Sequence, residues 1–110
     1  MMKYFTYEER AEIYEAAIEN FGIEAQAVVA IEELSECAKE LCKVLRGKGN
    51  PQNLAEELAD ATIMLEQMRI AMGLNEETKA WMNAKLVRLR HNIRPTVNPA
   101  VMDEHLENLA

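Results

Sequence analysis

The sequence predicts an all-α fold, a bundle of four helices, on three observations. Ala, Leu, Met and Glu are abundant while aromatic residues make up 5% of the chain, a mix that favours helix over sheet. Two long stretches carry apolar residues at spacings of 4, 3, 4, 3 and 4, the signature of a helix with one packing stripe. No stretch alternates polar and apolar residues as a half-buried strand would.

Each helix has its own start and stop. Thr6 with Glu9 three residues on is a capping box, so a first helix should run over 7–20. Phe21-Gly22 ends it, with Gly22 as the C-terminal cap. A second helix should run over 24–46 and stop at Gly47. Its stripe is Ala27, Ile31, Leu34, Ala38, Leu41 and Leu45. Gly47-Lys48-Gly49-Asn50-Pro51 breaks the chain. A third helix then begins near Pro51 or Asn53, with the stripe Leu54, Leu58, Ala61, Leu65, Met68 and Met72, and ends at Gly73. Asn75 should cap a fourth helix, with Glu76 and Glu77 in its first turn, where the helix dipole favours acids. Lys85, Arg88 and Arg90 sit toward its other end, and it should finish near Asn92, ahead of Pro95. Asn98-Pro99 would start a short terminal helix reaching Leu109. Short connections between four helices read as a helical bundle.

The 110 residues suit one domain, 1–110, with a core over about 6–92 and a tail over 95–110. Apolar residues make up 49%, too many for a disordered chain. A net charge of −7 argues against binding a nucleic-acid polymer. Cys37 and Cys42, five residues apart on one helix, point in different directions, so they read as buried, unpaired thiols in a reducing compartment. The first residues lack the apolar core of a signal peptide, and no apolar run approaches the roughly 18 residues of a membrane helix. The expected location is cytoplasmic.

The chemistry lies in two acidic clusters, Glu32-Glu33-Leu34-Ser35-Glu36 and Glu56-Glu57-Leu58-Ala59-Asp60. Each reads as two acids, Leu, a small residue and a third acid. Helix positions three apart lie on neighbouring turns of one face, so Glu33 can point with Glu36, and Glu57 with Asp60. A solvated face paired with lysines is the simplest alternative. Lys39 and Lys43, each three residues after an acid, partly allow it on the second helix. On the third helix, 53–68 holds Glu56, Glu57, Asp60 and Glu66 and no basic residue. A helical wheel places Glu57 near Met64 and Met68, Asp60 near Ala71, and Glu33 near Val29, Cys37 and Val44. Acids bordering a buried side without a cation should have raised pKa values, and a bound metal relieves that. Clustered carboxylate oxygens suit Mg²⁺, with Mn²⁺ as a substitute.

Glu32-Glu33-x-x-Glu36, a spacer over 37–56 and Glu57-x-x-Asp60 together resemble the MazG-like, all-α nucleoside triphosphate pyrophosphohydrolases. The resemblance covers roughly 24–92. It implies a bundle whose active site is completed by homodimer or homotetramer formation. It also implies Mg²⁺-dependent cleavage of a ribo- or deoxynucleoside triphosphate to the monophosphate and pyrophosphate. By the motif match Glu33, Glu36, Glu57 and Asp60 would be metal ligands, and Glu32 or Glu36 would take the proton of the attacking water. The family often carries an Asn and basic residues on the following helix. Asn83, Lys85 and Arg88 match in kind as phosphate-binding residues, and Lys39 is a further candidate. A Trp found in some relatives beyond that segment is missing here. Trp81 lies earlier, where it either stacks on a base or packs internally; packing is the commoner role for Trp.

The rival reading is a non-catalytic helical interaction module whose acidic face binds a basic partner or a structural cation. Other motifs are set aside. His91 and His105 lack the acid three residues before them that a di-iron bundle needs. Met64, Met68 and Met72 recur as core packing would, and Gly47-Lys48-Gly49 lacks the spacing of a phosphate loop.

Overall fold

Four α-helices form, and no strand occurs among the described residues, in the computed structural model, which describes residues 2–93. The expected short helix over 98–109, with His105, lies outside the described residues. The helices are α1 (Tyr7–Phe21), α2 (Ile23–Leu45), α3 (Pro51–Ala71) and α4 (Asn75–Asn92). The chain divides into two compact units, one through Asn75 and one beginning at Glu76.

In the first unit, α1 opens on the reciprocal capping box expected of Thr6 and Glu9. The Thr6 hydroxyl accepts from the Glu9 N–H at 3.1 Å, and the Thr6 N–H donates to Glu9 Oε1 at 2.9 Å. Gly22 closes α1 and opens α2 with φ +87°, a conformation that a Cβ disfavours. One residue thus makes the whole turn, and α2 starts at Ile23 rather than 24. At the other end of α2, the Lys43 carbonyl accepts from the N–H groups of Arg46, Lys48 and Gly49. Asn50 then caps α3, its Oδ1 accepting from the Gln52 N–H at 2.8 Å, with Pro51 at the first helical position.

α2 and α3 form an antiparallel hairpin and make the largest packing surface, with α1 lying against both. Ala30 on α2 and Ala61 on α3 are buried in it, and small residues allow close helix approach. Gln67, 3% exposed, donates to Gln26 Oε1 at 2.8 Å, a satisfied polar pair inside the interface. α1 is fastened to α3 by Glu66, whose carboxylate accepts from Arg10 Nε (2.7 Å), Arg10 Nη2 (3.2 Å) and the hydroxyl of buried Tyr14 (2.7 Å). Glu66 is thus paired with a cation remote in sequence, with the charge of Arg69 on α3 itself adding to the effect of Arg10.

The stripes expected to face the core do not all do so. Ile31, Leu34, Ala38, Leu41 and Leu45 of α2 are exposed, as are Leu58, Leu65 and Met72 of α3. The α2 face turned inward carries Gln26, Ala30, Glu33, Cys37, Glu40 and Val44, one helical step before the apolar stripe. Cys37 is half-buried and Cys42 exposed, so the expectation of two buried thiols holds for neither fully; both are unpaired.

α4 begins at Asn75 itself rather than being capped by it; Asn75 is the last residue of the first unit, and its side chain donates to the Tyr7 hydroxyl at 3.0 Å. Acids fill its first turn and Arg90 and His91 its last, as its dipole favours. Trp81, Met82, Leu86 and Leu89 are exposed. Trp81, at 64% exposure, is not the packed residue that its type suggested. No described helix is long and apolar enough to cross a membrane.

Candidate metal centre

The hairpin brings three of the sequence-predicted ligands together. One carboxylate oxygen each from Glu33, Glu57 and Asp60 lies within 4.8 Å of the other two. Glu33 comes from the inward face of α2, Glu57 and Asp60 from successive turns of α3. The register follows from the hairpin. Gln26 faces Gln67, and seven residues along each helix, in opposite directions, Glu33 meets Asp60. Two turns separate these pairs, about 10 Å along the axis.

Burial, then the charges of Asp60 and Glu57, raise the Glu33 pKa above the usual carboxylate range. Burial, then the charge of Asp60, followed by those of Glu36, Glu56 and Glu40, raises that of Glu57. Among the described residues no cation pairs with Glu32, Glu33, Glu36, Glu56, Glu57 or Asp60; the nearby ion pair joins Lys43 to Glu40 at 3.9 Å. The cluster is thus a patch of negative potential, built from hard oxygen donors of two helices and paired with no cation among the described residues. That donor set fits Mg²⁺ or Mn²⁺, which accept a few carboxylates and complete their shells with water or phosphate oxygens.

The other site residues are placed differently. Glu36 is exposed and outside the triad, although its charge acts on both Glu33 and Glu57. Glu32 is exposed at the flank of α2, and so is Lys39. Glu40 was not singled out from sequence, yet its charge reaches Glu57. Its spacing from Glu33 and Glu36 (positions 33, 36 and 40) continues one helix face, which is the signal that could have found it. On α4, Lys85 and Arg88 share a face, whereas Asn83, two residues before Lys85, points elsewhere on the helix.

A separate groove of about 270 Å³ lies between α1 and α3, lined by Tyr14, Glu15, Ile18, Glu19, Ile70 and Ala71. It includes none of the clustered acids. Comparison of this chain with family models, with curated proteins and with solved structures returns no match.

Proposed function

We infer that the protein is a Mg²⁺-dependent nucleoside triphosphate pyrophosphohydrolase of the MazG-like kind, acting as a homo-oligomer. The observation that carries this reading is the convergence of Glu33, Glu57 and Asp60 from two helices with no cation paired to them among the described residues. Glu33 and Glu57, raised in pKa by burial and then by the charges of neighbouring acids, are poised to exchange that cost for a divalent ion. The acidic motifs, on successive helices with a Gly-Pro break between them, support the family reading.

Glu33, Glu57 and Asp60 would hold the ion, with Glu36, whose charge acts on Glu33 and Glu57, as the fourth ligand that the resemblance implies. A divalent ion held by these residues would supply charge neutralisation for phosphate oxygens and acidify the attacking water. Glu36 or Glu32, exposed beside the triad, would accept the proton of the attacking water. Attack at the α-phosphorus gives the monophosphate and pyrophosphate. The resemblance gives Lys85 and Arg88, with Lys39 and Asn83 as further candidates, the role of donors to phosphate oxygens.

The oligomer rests on the exposed apolar stripes. Relative to the inward faces, Ile31, Leu34, Leu41 and Leu45 on α2 and Leu58, Leu65 and Met72 on α3 are each turned by one helical step. In an antiparallel pair that step carries both stripes to the same side of the hairpin. Two hairpins meeting on that side would complete a four-helix core.

The test is release of pyrophosphate from a panel of ribo- and deoxynucleoside triphosphates with Mg²⁺, beside Glu57→Gln and Asp60→Asn. Loss of a second-sphere partner at a metal site lowers activity about 10- to 100-fold, so loss of a ligand should cost at least about 100-fold. Orthophosphate as the product would identify a different bond. No turnover, with no thermal stabilisation by millimolar Mg²⁺ or Mn²⁺, would move the assignment to an interaction module.

A further inference from the structure

The groove between α1 and α3 lies within the first unit and plays no part in the proposed hydrolysis. Its floor is formed by Tyr14, Ile18, Ile70 and Ala71, and its rim carries Glu15 and Glu19. These two acids belong to a ridge, Glu8, Glu12, Glu15 and Glu19, whose spacings of 4, 3 and 4 set them along one side of α1. Among the described residues no cation pairs with any of the four. Like charges at these spacings weaken a helix until a cation arrives from elsewhere. The groove thus suits a segment that presents apolar side chains together with a positive charge.

The residues ahead of α1 are such a segment. Met2, Tyr4 and Phe5 are 82%, 86% and 62% exposed, and Lys3 stands among them. Lys3 meets Glu9 at 3.8 Å in solvent, a contact worth little and easily exchanged. The arm cannot fill the groove of its own chain. The Thr6–Glu9 capping box and the bond from Arg10 Nη1 to the Phe5 carbonyl (3.1 Å) hold it at the first turns of α1. Ile18 lies about 18 Å beyond Thr6 along the helix axis. Tyr4 is two residues from Thr6, and an extended chain covers at most about 7 Å in two residues. Even with the length of its ring added, Tyr4 stops short of the middle of the groove.

We propose that residues 2–5 of one copy occupy the α1–α3 groove of a second copy, with Tyr4 and Phe5 on the apolar floor and Lys3 against the Glu15–Glu19 rim. Under two-fold symmetry each copy gives one arm and receives one. The contact uses neither the acid triad nor the apolar side of the α2–α3 hairpin, so it goes beyond the hydrolase reading and does not depend on it.

The test is a photochemical cross-link in the full chain carrying Tyr4→p-benzoylphenylalanine. Isotopically heavy and light chains would be unfolded together, refolded, irradiated and digested, and the joined peptides sequenced by mass spectrometry. Products of mixed isotope are expected, joining position 4 to peptides that hold Tyr14–Glu19 or Ile70–Ala71. Lys3→Glu should lower their yield by roughly 2- to 5-fold, the worth of an exposed ion pair, and adding Glu15→Lys with Glu19→Lys should restore it. Phe5→Ser should lower it too, with the Phe5 carbonyl and the capping box left in place. Products confined to one isotope would overturn the proposal, because the arm would then lie on its own chain. Mixed products that land on the exposed stripes of α2 and α3 would overturn it as well, as would a yield indifferent to the charge of residue 3. The readout is a covalent contact rather than turnover, so its failure is distinct from failure of the hydrolase reading.

Discussion

Glu57 and Glu66 lie nine residues apart on α3, and their pKa values move in opposite directions. Glu66 is held below the usual carboxylate range by its hydrogen bond from Arg10, against the effect of burial, with Tyr14 adding a second donor. Folding therefore favours its charged form. Its contribution is present above the ordinary carboxylate pKa and lost as pH falls through the lower folded value. Glu57 is raised, so folding favours its neutral form, and its charge weighs against the metal-free fold increasingly as pH rises through that raised value. At neutral pH and without metal, Glu57→Gln should therefore raise Tm above wild type while abolishing hydrolysis. Paired melts with and without Mg²⁺ check this. At a Mg²⁺ concentration of about ten times Kd, wild type should gain roughly 1.4 kcal/mol, and the variant much less. Tyr14 gives the complementary test. Burial first, and the Glu66 hydrogen bond second, push its phenol up to about 12 from 10.0. The stability this confers is complete below the ordinary value and disappears as pH climbs toward 12. Tyr14→Phe should cost about 1.5 kcal/mol, because it removes a hydrogen bond to a charged acceptor, and should flatten the alkaline part of the Tm–pH curve above 10. An unchanged alkaline slope would mean that another group titrates there.

At the scale of the element, the α2–α3 turn sets the register that brings Glu33 opposite Asp60. Gly49 is critical to it for a reason unrelated to backbone handedness. A Cβ there would stand 2.6 Å from both Val44 Cγ2 and the Val44 backbone nitrogen, so backbone would have to shift. Gly49→Ala should lower stability by about 1–3 kcal/mol, as overpacking does, and weaken Mg²⁺ stabilisation along with it. Calorimetric metal titration beside thermal melting reads both. Metal affinity unchanged in a destabilised variant would show that the register survives the turn. The elements themselves were legible in sequence because their signals are local. The Thr6–Glu9 box, the positive-φ Gly22 and the Asn50-Pro51 start act within a few residues. The orientation of the faces was not. A helical wheel finds an apolar stripe on α2 and sets Glu33 at the border of a buried side, but it cannot say whether the chain covers that stripe, and here Glu33 and Glu40 face inward while Ile31, Leu41 and Leu45 face out. The i, i+3 spacing by which carboxylates share a face pairs Glu57 with Asp60, but it pairs Glu33 with Glu36, which lies outside the triad. The Arg10–Glu66 pair could not be read, because its partners are 56 residues apart in sequence.

At the scale of the whole molecule, the burial pattern is the ground on which we propose more than one copy. The first unit buries few large side chains fully, and its named core is Tyr14, Ala30, Ala61 and Met64. Meanwhile Ile31, Leu34, Leu41 and Leu45 stay exposed beside Leu58, Leu65 and Met72, on one side of one hairpin. Monomeric proteins scatter single exposed hydrophobics but rarely align this many in one patch. A second copy placed there buries apolar surface that a 110-residue chain needs for its core, without disturbing the acids on the inward faces. Leu34→Glu combined with Leu41→Glu puts like charges into that interface twice over, once from each copy. Sedimentation equilibrium should find wild type as a dimer or tetramer at micromolar concentration and the double variant as a monomer with a lower Tm. Hydrolysis should fall with the oligomer if the active site is completed across it. An active monomeric variant would separate the two properties and confine the catalytic machinery to one chain. A wild type that sediments as a monomer would overturn the oligomer and leave the apolar side of the hairpin for a different partner.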